Sequence, residues 1–122
     1  YKYILPNNIK LLGWVNNIVN EYQNCVLFLR LPKHDGLGFS VLEALSNGRY
    51  VGYTFPLKCT YYIDSYDTLK KLVIETYNKY KNNKLSVNYV GIRYVKQNYS
   101  EKNILNNLID EFKKIVGNVC VE

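Results

Sequence analysis

Apolar residues along the chain group into short runs that predict strands. Cys25–Leu29 is an unbroken apolar run, which is typical of a strand buried on both faces of a parallel sheet. The pattern also predicts a short strand at Ile9–Val15 and another at Tyr50–Phe55, which Pro56 ends. We expect a further strand fragment at Tyr61–Ile63.

Between and after these runs, apolar residues recur at helical spacing. The expected helices are Asn16–Tyr22, Phe39–Asn47, Asp67–Tyr80, Val87–Gln97 and a last one that Ser100 caps. Phe39, Leu42 and Leu45 share one side of the second helix, and Gly48 ends it. The last helix has a wide apolar face, made by Ile104, Leu105, Leu108, Ile109, Phe112, Ile115 and Val116.

This alternation of strands and helices predicts an α/β fold, a Rossmann-like parallel sheet with helices on both faces. The strands near Ile9–Leu12, Val26–Leu29 and Tyr50–Tyr53 should be adjacent and parallel. Three strands are few for a doubly wound sheet, and residues 1–5 resemble the tail of a preceding helix. We therefore expect residues 1–122 to be one partial domain of a longer chain, lacking its first βαβ segment.

The composition excludes some classes of binding partner but does not identify one. The net charge of +6 fits either a solvated surface or an anionic partner, such as a nucleotide, a phosphate or an acidic lipid. The lysines are scattered, which counts against a nucleic-acid binder. No stretch of about 18 residues is free of charge or Asn, which argues against a membrane span.

Few side chains are available to bind a metal ion. The cysteines are Cys25, Cys59 and Cys120, widely spaced, and His34 is the single histidine. These are too few nearby ligands for a zinc site, so we expect no metal. An odd number of spaced cysteines favours free thiols in a reducing, cytoplasmic compartment.

The segment from Arg30 to Gly48 carries the candidate chemistry. A strand ends there, a loop with Gly36 and Gly38 follows, and a helix begins. The free amides of a helix start form an anion site suited to a diphosphate, and glycines allow a ligand to approach closely. The alternative is an ordinary tight turn from strand to helix.

Two carboxylates strengthen the case for a ligand site. Asp35 precedes the helix, and Glu43 lies inside it, roughly 6 Å along the helix axis from its start. Both can face one crevice, where carboxylates accept hydrogen bonds from sugar hydroxyls. The alternatives are a helix N-cap for Asp35 and a solvated surface residue for Glu43.

The stretch HDGLGFSVLEALSNGRYVGY resembles the donor-binding region of retaining glycosyltransferases of the GT-B fold (glycosyl transferases group 1), which have two Rossmann-like domains. The family's Glu-Gly-Phe-Gly motif corresponds to Asp35-Gly36-Leu37-Gly38, and its Glu-Ala-Met-Ala-x-Gly helix end to Glu43–Gly48. Its two acids, which have seven residues between them, fall on Asp35 and Glu43. The resemblance extends in order over residues 7–116.

The resemblance implies a role for each site residue. Asp35 would be the catalytic acid that holds hydroxyls of the transferred sugar, and Glu43 would hold the nucleotide ribose. Arg30 and His34 would lie at the edge of the donor crevice. The remaining donor-binding residues, whose backbone would surround the diphosphate, are Gly36, Leu37, Gly38, Phe39 and Ser40.

The chain departs from the family pattern in two places. Asp35 stands where Glu is commoner, which shortens its reach by one methylene, and PLKCTYYI replaces a glycine-rich loop after Tyr50-Val51. The family's diphosphate-binding Arg and Lys and its whole N-terminal acceptor domain correspond to nothing in this sequence. We therefore expect residues 1–122 alone to be inactive.

The resemblance implies retaining transfer of a sugar from a nucleoside-diphosphate sugar to an acceptor, without metal or cofactor. The acceptor is a glycan, a lipid or a protein, and the location is the cytoplasm, either free or peripheral at the inner face of the membrane. The alternative is a non-catalytic nucleotide-binding or flavodoxin-like module.

Overall fold

Three short strands and five helices make up the computed structural model, which describes residues 4–119. In chain order the elements are α1 (Ile18–Asn24), β1 (Leu27–Arg30), α2 (Phe39–Ser46), β2 (Tyr50–Tyr53), β3 (Tyr61–Tyr62), α3 (Tyr66–Lys81), α4 (Tyr89–Asn98) and α5 (Glu101–Val119). All five helices expected from Asn16 onward are present, with ends shifted by at most two residues where both ends were predicted. Cys120 and residues 1–3 lie outside the described residues. Residues 4 and 5, which were expected to end a preceding helix, are not helical.

The strands form an open parallel sheet in the order β1-β2-β3. Leu27 pairs with Tyr50 and Arg30 with Tyr53, so β1 and β2 end level with each other. The short β3 pairs only with the last two residues of β2. The seven-residue loop between β2 and β3 therefore has to run back along only two residues of β2 before the parallel strand begins. The predicted parallel α/β sheet is confirmed for these strands.

Helices cover both faces of the sheet. A Cβ atom at Gly52 would lie 2.9 Å from Leu72 Cδ2, so α3 packs directly on that face of β2. Val51 and Tyr53, its neighbours in the strand, point to the opposite face because successive side chains alternate. That face carries the core cluster, which consists of Tyr22, Val41, Ala44, Leu45, Val51 and Tyr53.

The predicted strand at Ile9–Val15 is wrong. Within residues 4–119 this segment has no strand and pairs with none of the three strands. Its apolar side chains face solvent, with Leu11 77% and Trp14 92% exposed, and Gly13 bends the backbone at φ +63°. A strand exists only where a neighbour completes its hydrogen-bond ladder, and the apolar pattern alone does not supply that neighbour.

The predicted apolar side of α2 is wrong at one residue. Phe39 is 73% exposed, whereas Val41, Leu42, Ala44 and Leu45 are buried. Helical side chains lean toward the helix N-terminus. Phe39, as the first residue of α2, therefore extends beyond the packed part of the helix, toward the loop that precedes it.

The C-terminal helices differ in how closely they pack. Asn88 caps α4 by accepting from Gly91 N, and Gly91 packs so closely on α2 that a Cβ there would lie 3.0 Å from Leu45 Cδ2. Ser100 caps α5 as expected, its hydroxyl accepting from Asn103 N at 3.3 Å. The predicted apolar face of α5 is 48–60% exposed along its length. Among residues 4–119, no helix combines the length and apolar character that a membrane span requires.

Candidate functional site

The candidate site lies at the carboxyl edge of the sheet. Arg30 is the last residue of β1, Tyr53 is the last residue of β2, and the two are paired neighbours. The loop of residues 31–38 starts from this edge and leads into α2. Ligands of open α/β sheets bind at such an edge. Arg49, by contrast, lies at the amino end of β2 and donates to the carbonyls of Asn47 and Cys25.

Asp35 is held to this edge by three hydrogen bonds. Arg30 donates to both of its oxygens, through Nε at 2.7 Å and Nη2 at 3.2 Å, and the Tyr53 hydroxyl donates to Oδ2 at 2.9 Å. The Asp35 side chain is 12% exposed and that of Arg30 is 39% exposed. The carboxylate therefore fastens the loop to both strands.

These contacts set the charge state of the cluster. The Arg30 hydrogen bonds, followed by the Tyr53 hydrogen bond, lower the pKa of Asp35 below its usual value. Burial, followed by the bond to Asp35, raises the pKa of Tyr53. Asp35 is thus an ionised acceptor and Tyr53 a neutral donor at neutral pH.

Gly38 is required by close packing rather than by backbone conformation. A Cβ atom there would lie 3.0 Å from Tyr53 Oη and 3.3 Å from Asp35 Oδ2. Gly36 has open space around it, and its carbonyl lies 3.4 Å from the Tyr53 hydroxyl. Leu37 is 46% exposed between the two glycines. The Asp35 cluster therefore packs against the start of α2.

The start of α2 has no side-chain cap. Gly38 is the N-cap residue, so the alternative role of Asp35 as a helix cap is wrong. The amides of Phe39 and Ser40 belong to the first turn, where a helix offers no acceptor of its own. Ser40 Oγ is buried and has no hydrogen-bond partner among the described residues. The amides of Phe39 and Ser40 are therefore left for a ligand or water at this end of the helix, whereas the Ser40 hydroxyl has almost no solvent-accessible surface.

Glu43 is held by a tyrosine from a different helix. It lies exposed on α2, and its Oε2 accepts a hydrogen bond of 3.0 Å from the hydroxyl of Tyr22 in α1. Tyr22 is 3% exposed and packs edge-on against Phe28, with ring centroids 5.5 Å apart. Burial, and then the bond to Glu43, raises the pKa of Tyr22 to about 12.

The two carboxylates belong to neighbouring but separate hydrogen-bond groups. Asp35 is bound to Arg30 and Tyr53, Glu43 is bound to Tyr22, and no described hydrogen bond joins the groups. The positive charge of Arg30 offsets a small part of the rise in the pKa of Tyr22 that burial and Glu43 cause. A single crevice that contains both acids stays a prediction.

Sequence reasoning missed the two tyrosines that hold these acids. The apolar pattern places Tyr22 in a helix and Tyr53 in a strand, and it gives no sign of either hydrogen bond. A usable signal exists, because a tyrosine at a core position needs a polar partner for its hydroxyl. His34, the remaining candidate, is exposed on the loop.

A groove elsewhere is apolar and lies away from these groups. It lies between the start of β1 and the second half of α3, and its lining residues are Val26, Leu27, Val73, Thr76, Tyr77 and Tyr80. Its position at the opposite end of β1 separates it from Asp35.

No family model, curated protein or solved structure matches this chain. Within residues 4–119, His, Cys, Asp and Glu side chains form no group of three or more that could hold a metal ion. The resemblance of the Asp35 and Glu43 segment to a known family therefore stays a prediction.

Proposed function

We propose that this chain is the nucleotide-sugar-binding domain of a retaining glycosyltransferase of the GT-B fold. One observation carries the proposal. Asp35 lies beside the start of α2, which has no side-chain cap, at the carboxyl edge of the parallel strands, and Glu43 lies on the same helix. The reaction is transfer of a sugar from a nucleoside-diphosphate sugar to an acceptor.

The diphosphate binds at the start of α2. The amides of Phe39 and Ser40, in the first turn of α2, supply the donors, because the helix offers them no acceptor of its own. Arg30 binds Asp35 through one edge of its guanidinium, and the rest of this half-exposed group can donate to a phosphate oxygen. These donors stabilise the charge that develops on the diphosphate as the sugar leaves.

Glu43 and Asp35 bind the other two parts of the donor, the ribose and the transferred sugar. Glu43 accepts hydrogen bonds from the ribose, because one of its oxygens and part of the other stay free beside Tyr22. Asp35 accepts a hydrogen bond from a hydroxyl of the transferred sugar, through the lone pairs that Arg30 and Tyr53 do not occupy. Gly36, Leu37 and His34 line the outer loop of this crevice.

The acceptor, the cofactor requirement and the location of the proposed reaction follow from the proposed family. An N-terminal domain supplies the acceptor site, and the acceptor is a glycan, a lipid or a protein. The transfer needs no metal or cofactor, and it takes place in the cytoplasm or at the inner face of the membrane. Nucleic acid is not a partner.

One observation favours a second candidate, a non-catalytic nucleotide-binding or flavodoxin-like module. Three hydrogen bonds already engage the Asp35 carboxylate. In that candidate the carboxylate serves only to fasten the loop, and the start of α2 binds a nucleotide without transferring a sugar.

Calorimetric titration with the diphosphates of uridine, guanosine, adenosine and cytidine tests the proposal. Glu43→Ala should weaken binding about 10- to 150-fold, because a lost hydrogen bond to a charged group costs about 1.5–3 kcal/mol. Asp35→Ala should leave the affinity for free nucleotide nearly unchanged, because its ligand is the sugar.

Glu75→Ala is the matched control, since Glu75 is an exposed glutamate on α3, outside the site. It should bind like the parent. The proposal is wrong if the parent binds no nucleoside diphosphate at millimolar concentration, or if Glu43→Ala binds as tightly as the parent.

A further inference from the structure

The contact between Tyr22 and Glu43 joins a rigid side chain to a flexible one. Tyr22 is 3% exposed, belongs to the core cluster, and packs edge-on against Phe28. Glu43 is exposed on the surface of α2. The tyrosine hydroxyl, which reaches from the core to this surface, is the side-chain donor that Glu43 accepts from, at 3.0 Å.

The bond fixes Glu43 without using up its acceptor capacity. A carboxylate offers about four lone-pair positions on its two oxygens. Tyr22 occupies one position on Oε2. Oε1 and the rest of Oε2 are left for a ligand with two neighbouring hydroxyl groups, which is the arrangement of the ribose 2′ and 3′ positions.

Fixing the carboxylate beforehand matters for affinity. A free glutamate has three rotatable side-chain bonds, and ordering them on ligand binding lowers the affinity about 3- to 10-fold. Tyr22 restricts these bonds in the free protein, because its ring is packed in the core and its hydroxyl donates to Oε2 of Glu43. Its raised pKa, about 12, keeps it a neutral donor over the physiological range.

We propose that Tyr22 is a positioning residue that fixes Glu43 for recognition of the ribose diol and thereby makes the site selective for ribonucleotides. The inference rests on the proposed function, since it assumes that Glu43 faces the nucleotide. It adds a residue from α1 to a site that the motif confines to the loop and α2.

The experiment compares two ligands in four proteins by calorimetry. The ligands are the nucleoside diphosphate that binds the parent most tightly and its 2′,3′-dideoxy analogue. The proteins are the parent, Tyr22→Phe, Glu43→Gln and the double variant. We expect the parent to prefer the ribonucleotide at least 10-fold and Tyr22→Phe to bind the ribonucleotide 3- to 10-fold more weakly. Its affinity for the dideoxy analogue should match that of the parent.

The double variant should bind the ribonucleotide as Glu43→Gln does, because Tyr22 acts only through the carboxylate. Tyr94→Phe is the matched control, since it also removes a hydroxyl bonded to another side chain, 3.4 Å from that of Tyr99 and on α4. It should bind both ligands like the parent.

Each remaining outcome identifies what has failed. If Tyr22→Phe weakens both ligands equally, the role of Tyr22 is structural and the inference is wrong. If Tyr22→Phe matches the parent while Glu43→Gln is weaker, the inference fails and the proposed function stands. If the parent binds neither ligand, the proposed function fails first.

Should Tyr22→Phe not fold, Glu43→Asp replaces it. That variant keeps the charge at an exposed position and withdraws the carboxylate from Tyr22 by one methylene. It should lose the preference for the ribonucleotide over the dideoxy analogue. An unchanged preference would overturn the inference.

Discussion

At the scale of single residues, the site is organised by tyrosine hydroxyls. Tyr53 and Tyr22 each place a ring in the core and donate to one of the two motif acids at the surface. Neither contact follows from sequence spacing, because 18 and 21 residues separate the partners. The acids themselves were predictable from the motif, whereas their partners depend on how α1 and β2 pack against α2.

The Asp35 cluster should make stability depend on pH at the acid end. Its folded pKa is lowered, chiefly by Arg30. The stabilisation is therefore present above the unfolded carboxyl pKa of about 4 and is lost as the pH falls through the lower folded value. Asp35→Asn should flatten the loss of stability below about pH 4, as measured by urea denaturation between pH 2.5 and 6.

Asp110→Asn provides the comparison, because Asp110 is exposed on α5. It should keep the slope of the parent. An identical slope for Asp35→Asn and the parent would show that the ion pair contributes nothing to folding.

At the scale of elements, the packing of α3 on the sheet depends on Gly52. A Cβ atom there would lie 2.7 Å from Leu29 Cδ2 and 2.9 Å from Leu72 Cδ2. Gly52→Ala should therefore force the two leucines apart and lower the free energy of unfolding by about 1–3 kcal/mol. Urea denaturation measures the change.

Gly36→Ala is a suitable reference for that substitution, since a Cβ atom at Gly36 meets nothing within 4 Å. Its effect on the free energy of unfolding should be smaller. Equal losses for the two variants would mean that the contact between α3 and the sheet is loose.

The elements also show what a hydrophobic pattern can and cannot predict. β1, β2 and all five helices coincide with an apolar run or stripe in the sequence, although the stripe of α5 stays 48–60% exposed. Ile9–Val15 has a comparable pattern and forms no strand, because its state depends on a neighbouring strand. Phe39 also fits an apolar pattern without being buried, because it is the first residue of its helix.

At the scale of the whole molecule, the proposed function makes residues 1–122 a donor-binding half without an acceptor site. Much of the rate of a transfer reaction comes from holding two reactants together. The purified chain should therefore transfer no sugar from a panel of nucleoside-diphosphate sugars to any acceptor, as followed by mass spectrometry. Measurable transfer would mean that the active site lies elsewhere in these residues.

The crowding around Gly38 constrains the order in which this site could change during evolution. A Cβ atom at this position would lie 3.0 Å from the Tyr53 hydroxyl and 3.2 Å from Val41 Cγ2, so these neighbours would have to shift by a few tenths of an ångström. A lineage that replaced the tyrosine with phenylalanine first would open room there, whereas the reverse order would pass through a strained intermediate. Relatives with alanine at the position of Gly38 should therefore carry phenylalanine in place of Tyr53. The history of one residue is thus tied to that of the other.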